Sequence, residues 1–342
     1  MRVALTIKEE AKEAGVSHTT VSLVINNIKG SRVSEDTRKR VLEVIKKLDY
    51  NPNLIAQRLA LKKTNSIGLY IPFTFPIFHN FTLIQIVAGI QDVFNLKDFD
   101  LVLFSCGKNL WKDRPISKIL KQNSVDGIII VNTRFTTQYF INKTIRELTK
   151  LNSNFVLLSY YWGRADINYV GVDYENDSFK STSHLIDLGH KNIALITGMP
   201  NSLVTNRIIN GYKKALKRNN ITCNPDFITN ADYDYQMAYE KTKSLIKKNP
   251  QITAIFVAGY EMAPGSLKAV KSLGLNVPKD ISIIAYPDVE IFSHSEPPIT
   301  AVRLPYYDMG KKAAELVTNN SKEKKKIIFE TDLIIRESTI KL

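Results

Sequence analysis

Cysteine is scarce: Cys106 and Cys223 are the only two among 342 residues. Two thiols build no disulfide framework, so the fold must rest on its apolar core, as expected in a reducing cytosol. No apolar run reaches the roughly 20 residues that a bilayer-spanning helix needs. The N-terminus lacks the order of charge, apolar run and cleavage site that marks a signal peptide. The expected location is therefore cytoplasmic. The five histidines show no metal-ligand spacing, and His184 and His190, at the ends of "HLIDLGH", read as structural. Neither a GxSxG elbow nor a Walker sequence occurs, and no paired carboxylates or activated nucleophile stand out. Catalysis, a metal and a cofactor are not expected.

Positive charge is in ample supply. The net charge is +14, and residues 1–63 hold 13 Lys/Arg against 7 Asp/Glu, a net of +6. Such a basic head suits phosphate contact, which supplies sequence-independent, salt-sensitive affinity for nucleic acid. The run "KEKKK" at 322–326 reads as a solvated loop.

The head reads as a helix-turn-helix. Thr6 and Glu9 fit a capping box, and Ile7, Ala11 and Ala14 recur at helical spacing. Gly15-Val16 breaks the run with a residue that accepts tight-turn backbone angles. Ser17 caps a second helix that runs to about Asn26. At about 100° per residue, Val21, Val24 and Ile25 group inward, whereas His18, Thr19, Ser22, Leu23 and Asn26 share the opposite arc. Those polar groups can meet base edges or phosphates, and Leu23 can touch a thymine methyl; the blander alternative is a solvated helix face. Ser34 caps a third helix whose Val41, Ile45 and Leu48 close a small bundle.

The strings "TIKEEAKEAGVSHTTVSLVIN", "RVSEDTRKRVLEVIKKLDYNPN", "IAQRLALKKTNSIGLYIP", "HLIDLGHKNIALITG", "PPITAVRLPYYDMGKKAAELV" and "IIRES" together resemble the lac-repressor (LacI/GalR) family of bacterial transcription regulators, over nearly the whole chain. The resemblance implies a DNA-binding head at 1–50, a hinge helix at 51–65, and an effector-binding and dimerisation domain at 66–342. It implies a DNA-contact set of Thr6, Ser17, His18, Thr19, Thr20, Ser22, Leu23, Asn26, Arg32, Asn53, Arg58 and Leu59. Leu59 would wedge into the minor groove and kink the duplex. One helix-turn-helix covers a half-site, so a homodimer on a near-palindromic double-stranded operator follows. No heptad segment accompanies "IIRES", so nothing points to a tetramer.

From Ser66 onward eight apolar, β-rich strings alternate with helical stretches, which argues for parallel sheets covered on both faces. The expected fold class is α/β: an all-α helix-turn-helix headpiece plus two Rossmann-like, periplasmic-binding-protein-like subdomains with a ligand cleft between them. Their bounds are expected near 66–160 with 294–325, and 161–293 with 326–342. Ligands bind beyond the C-terminal ends of such strands, so Phe75, Phe78, Tyr160, Arg207, Tyr233, Tyr260 and Asp288 are the expected effector contacts.

The effector implied is a small, carbohydrate-like molecule held more by aromatic stacking than by a charged clamp. The sequence departs from the family at Gly259, where relatives usually carry Asn, and at Pro287, where they carry an acidic residue. These departures favour an alternative, a degenerate cleft with control by a partner or by abundance. A periplasmic solute-binding protein is opposed by the basic head, and a sugar-converting enzyme by the absence of paired carboxylates.

Overall fold

The structure, a computed structural model, describes residues 7–25, 32–48, 63–72, 80–106, 116–121, 125–133, 136–159, 163, 166–200, 202–319, 321 and 323–342. It divides into two compact units, 1–65 with 123–126, and 66–122 with 127–342.

The first unit holds α1 (Ile7–Glu13), α2 (His18–Ile25) and α3 (Glu35–Leu48). Gly15 sits at φ +63 in the turn, where a Cβ would be strained. The Ser17 hydroxyl accepts from Thr20 N at 3.1 Å and the Ser34 hydroxyl from Thr37 N at 3.3 Å, so both caps form as the sequence implies. Ala11, Ala14, Val21, Val24 and Val41 make the core, with Val16, Ile25, Val33, Val44 and Ile45 packed against it. Asp126 accepts from Thr64 N and Asn65 N, both at 2.8 Å.

The second unit contains two six-stranded sheets. The first joins β1 (Ser66–Pro72), β2 (Asp100–Cys106), β3 (Gly127–Val131), β4 (Phe155–Leu158), β5 (Asn168–Val172) and β11 (Lys326–Phe329) in the order β11-β5-β4-β3-β1-β2. Every pair in it is parallel. The second joins β6 (Ile193–Thr197), β7 (Ile228–Asn230), β8 (Ala254–Val257), β9 (Ser282–Ala285), β10 (Thr300–Arg303) and β12 (Asp332–Ile334) in the order β12-β10-β9-β8-β6-β7. Here β12 runs antiparallel to β10. The helices between strands are α4 (Phe81–Lys97), α5 (Ile116–Lys121), α6 (Gln138–Lys150), α7 (Tyr174–Asp187), α8 (Leu203–Arg218), α9 (Tyr235–Lys248), α10 (Ala263–Ser272) and α11 (Tyr306–Thr318). Strands β3 and β4 are buried at every position, as strands covered on both faces must be.

Sheet membership corrects the expected subdomain bounds. Strand β5, placed beforehand in the second subdomain, lies in the first sheet; β10, placed in the first, lies in the second. Strand β11 pairs with β5 in the first sheet, so Lys326 begins an edge strand rather than ending a loop. The chain changes sheets between β5 and α7, between β10 and α11, and between β11 and β12. Apolar periodicity marks a strand but carries no information about which sheet it joins, which explains the displaced bounds.

Candidate nucleic-acid interface and effector cleft

Helix α2 sorts its residues by face. Val21 and Val24 are buried at 0% and 3% exposure, Ser17, His18 and Thr19 are exposed, and Thr20, Ser22 and Leu23 are half-buried. The buried pair anchors α2 to the head's core, and Ser17, His18 and Thr19 face solvent. No acidic residue stands in the first turn of α2, so its positive dipole end is uncompensated and favours phosphate. Ser17 and Thr20 also serve the fold: their hydroxyls lie 2.9 Å apart at the cap. Arg32 is exposed, as are Lys39 and Arg40 of α3. Thr6, Asn26, Asn53, Arg58 and Leu59 lie outside the described residues.

Glu10 is a residue the sequence reading passed over. It is 1% exposed, and neither carboxyl oxygen has a hydrogen-bond partner. Burial pushes its pKa up to about 7. The signal was available: Glu10 is three residues after Ile7 and four before Ala14, on their apolar face.

In the second unit the two charged residues of the expected effector set, Arg207 and Asp288, are each held by an internal partner. Arg207 Nη1 donates to Glu175 Oε2 at 3.1 Å. Asp288, whose side chain is 6% exposed, accepts a bidentate pair from Arg336 at 2.9 and 2.9 Å, and Arg303 Nε stands 3.5 Å away. These residues share a cleft of about 560 Å³ with Glu290, Tyr306, Tyr307 and Asp332, and neither Arg207, Tyr233 nor Tyr260 lines it. The bidentate fork of Arg336 holds the Asp288 carboxylate in an internal pair. Arg336, within "IIRES", went unassigned beforehand.

Tyr233, at φ +60, is half-buried and fills a slot between two glycines. A Cβ on Gly198 would stand 2.0 Å from Tyr233 Cζ, and one on Gly259 would stand 2.9 Å from Tyr233 Cδ1 and 2.5 Å from Met262 Cε. Gly198 directly follows β6 and Gly259 follows β8 by two residues, so the ring lies at the C-terminal strand ends where parallel sheets take ligands. The Gly at 259 thus has a physical reason. Tyr260 meets Phe81, the first residue of α4, edge-on with ring centroids 6.4 Å apart. Phe78, Phe75 and Tyr160 lie outside the described residues, as do Tyr161 and Trp162.

Tyr286 is buried, and its hydroxyl donates to Asp177 Oδ2 at 3.1 Å. The Thr331 hydroxyl donates to the other oxygen. Burial pushes the Asp177 pKa up to about 6, against the lowering effect of those two donors. The carboxylate therefore ties α7, the segment after β9 and the passage from β11 to β12. Among the described residues, no group of His, Cys, Asp and Glu is arranged to hold a metal, and no helix is long and apolar enough to cross a membrane.

Comparison with known proteins fits both units. The family model for bacterial regulatory proteins of the lacI family matches residues 6–53, and that for a periplasmic binding protein-like domain matches 182–339. Catabolite control protein A of Priestia megaterium is 34% identical over 315 residues, covering 92% of each chain. Among solved structures, the lac repressor dimer bound to operator and the anti-inducer ONPF superposes with a TM-score of 0.82 at 26% identity, covering 99% of this chain and 100% of that one. The complex of the transcriptional regulator CelR with cellobiose gives a TM-score of 0.73, also at 26% identity, covering 98% and 99%. The chain belongs to the lacI family of bacterial regulatory proteins: it is a DNA-binding transcriptional regulator, not an enzyme.

Proposed function

We propose that the protein is a cytoplasmic repressor that binds a near-palindromic operator as a homodimer and is controlled by a small, carbohydrate-like effector in the second unit. The observation that carries this reading is the division of α2, with Val21 and Val24 buried and Ser17, His18 and Thr19 exposed on a head of net charge +6. His18, Thr19, Ser22 and Leu23 meet base edges, while Arg32 and the basic residues of α3 neutralise phosphates. Thr6, Asn26, Asn53, Arg58 and Leu59 complete the proposed contact set from the sequence alone. The structures of the lac repressor with operator and of CelR with cellobiose support duplex DNA and a sugar as the partner classes.

Effector binding acts through linkage. An inducer binds the free protein better, and a corepressor binds the DNA complex better. Tyr233 and Tyr260 supply stacking surface; Arg207 joins them only by exchanging Glu175 for the ligand. Phe75, Phe78 and Tyr160 belong to the same proposed set. A second reading, a cleft without an effector, is favoured by one specific observation. Arg207 and Asp288 are each held by an internal partner, and Tyr233 fills its own slot.

A thermal-melting screen against sugars, sugar phosphates, nucleobases and aromatic acids separates the two. A ligand at about 100 times its Kd adds about 2.7 kcal/mol, a rise of about 5 °C for a unit of roughly 270 residues. Tyr233→Ala should then weaken that ligand's binding and leave operator affinity in its absence unchanged. A screen with no shift supports the second reading, and unaltered ligand affinity in Tyr233→Ala removes that residue from the site.

A further inference from the structure

We propose that Glu10 makes the DNA-reading head a proton-dependent fold, tightly closed while its carboxyl is protonated and loosened once it ionises, so that duplex binding weakens as pH rises. The inference rests on the reading of this head as the DNA-binding element, and it adds a control that needs no small molecule.

Glu10 lies in the middle of α1, a helix of seven residues. It shares the buried face with Ala11 and Ala14, and the rest of the core is Val21, Val24 and Val41. A core of small and β-branched residues offers the carboxyl no donor, and both its oxygens are buried without a hydrogen bond. An ionised carboxylate in such a place carries an uncompensated desolvation penalty, whereas the neutral acid carries far less.

Among the described residues, no charged group gives the Glu10 carboxyl a hydrogen bond. On α1 the described ones are Glu9, Lys12 and Glu13; on α2 the titratable group is His18. Helix α3 carries Glu35, Asp36, Arg38, Lys39, Arg40, Glu43, Lys46 and Lys47. The Lys47 ammonium pairs instead with Glu13, at 3.2 Å and in solvent. Burial alone accounts for the raised pKa of Glu10, about 7 against an ordinary 4.5.

The sign follows from linkage. A carboxyl whose folded pKa lies above its unfolded value stabilises the head fully below the unfolded value. That contribution is lost as pH rises through the folded value. Bound duplex adds a negative phosphate field near the head, which favours the neutral acid further. Proton uptake and duplex binding thereby reinforce each other.

The test uses the full-length chain and a readout local to the head, because Asp177 of the second unit titrates in the same range. Amide hydrogen exchange of α1 to α3, corrected for the intrinsic pH dependence of exchange, is followed from pH 5 to pH 8 in wild type, Glu10→Gln and Glu10→Leu. Wild type should open on the order of 70-fold more at pH 8 than at pH 5, while both variants should give flat profiles. A duplex recovered from a random pool at pH 6 serves as the binding probe. Wild-type affinity for it should fall toward pH 8 more steeply than that of Glu10→Leu. If Glu10→Gln fails to fold, Glu10→Leu alone decides. A wild-type pH slope retained in Glu10→Leu overturns the proposal, whereas failure to recover any duplex at pH 6 would count against the DNA-binding reading itself.

Discussion

At the residue scale, the second unit handles charge by pairing it internally. Asp288 is nearly inaccessible, and it meets Arg336 through two parallel bonds. Removing one member of a buried pair leaves the other uncompensated, at a cost of about 3–5 kcal/mol. Asp288→Ala strips Arg336, 13% exposed, of its carboxylate and should therefore lower urea resistance by about that amount, and Asp288→Leu combined with Arg336→Met should recover most of it. A loss under 1 kcal/mol in the single variant would mean that the pair contributes little. Gly259 invites a converse substitution. Asparagine there would drive its Cβ against Tyr233 and Met262, and overfilling a packed site costs about 1–3 kcal/mol. Gly259→Asn should therefore be less stable in urea and should alter the near-ultraviolet circular dichroism of the displaced Tyr233; an unchanged spectrum would show that the ring keeps its slot.

At the scale of elements, α2 depends on its cap. Ser17→Ala removes the acceptor for Thr20 N and should destabilise the head by about 1 kcal/mol, seen as faster amide exchange in α2. Equal exchange rates would assign the N-terminal bonds of α2 to other groups. His190 holds together the starts of two strands and the C-terminal segment. Its Nε2 contacts the Ile340 carbonyl at 3.1 Å, which can only accept, so Nδ1 accepts from the Thr253 hydroxyl at 3.0 Å. Burial lowers its pKa below the ordinary 6.5. Its contribution is thus complete above pH 6.5 and is lost as pH falls through the lower folded value, the reverse of Asp177. Wild type should lose more urea resistance between pH 7 and pH 5 than His190→Asn; parallel losses would acquit His190.

The elements were largely readable from the sequence. All eight apolar strings became strands, and the Ser17 and Ser34 caps formed where their residue types stand. The short strands β7 (ITN), β10 (TAVR), β11 (KIIF) and β12 (DLI) were not foreseen, because polar or charged residues at their ends break the apolar run. The partners of Asp288 and Arg207 were equally out of reach. Arg336 lies 48 residues from Asp288 and Glu175 lies 32 from Arg207, and only the closed fold makes them neighbours. Spacing on α1 did contain Glu10's burial; its acidic side chain, next to the equally acidic Glu9, disguised it.

At the scale of the whole molecule, the head is the DNA-binding domain and the second unit carries the periplasmic binding protein-like domain. A duplex bound through the basic head should lose affinity steeply with salt, with a slope near −0.9 for each phosphate neutralised. Binding that ignores salt would not be reconcilable with a head carrying +6. The most direct measurement is selection of duplexes from a random pool by the full-length chain, followed by sequencing of the enriched fraction, for wild type and for Leu23→Ala. A homodimeric repressor should enrich a near-palindromic site with two equivalent half-sites, and Leu23→Ala should change the preference at one matching position in each. Recovery of unrelated sequences, or of a single asymmetric site indifferent to Leu23, would contradict that assignment.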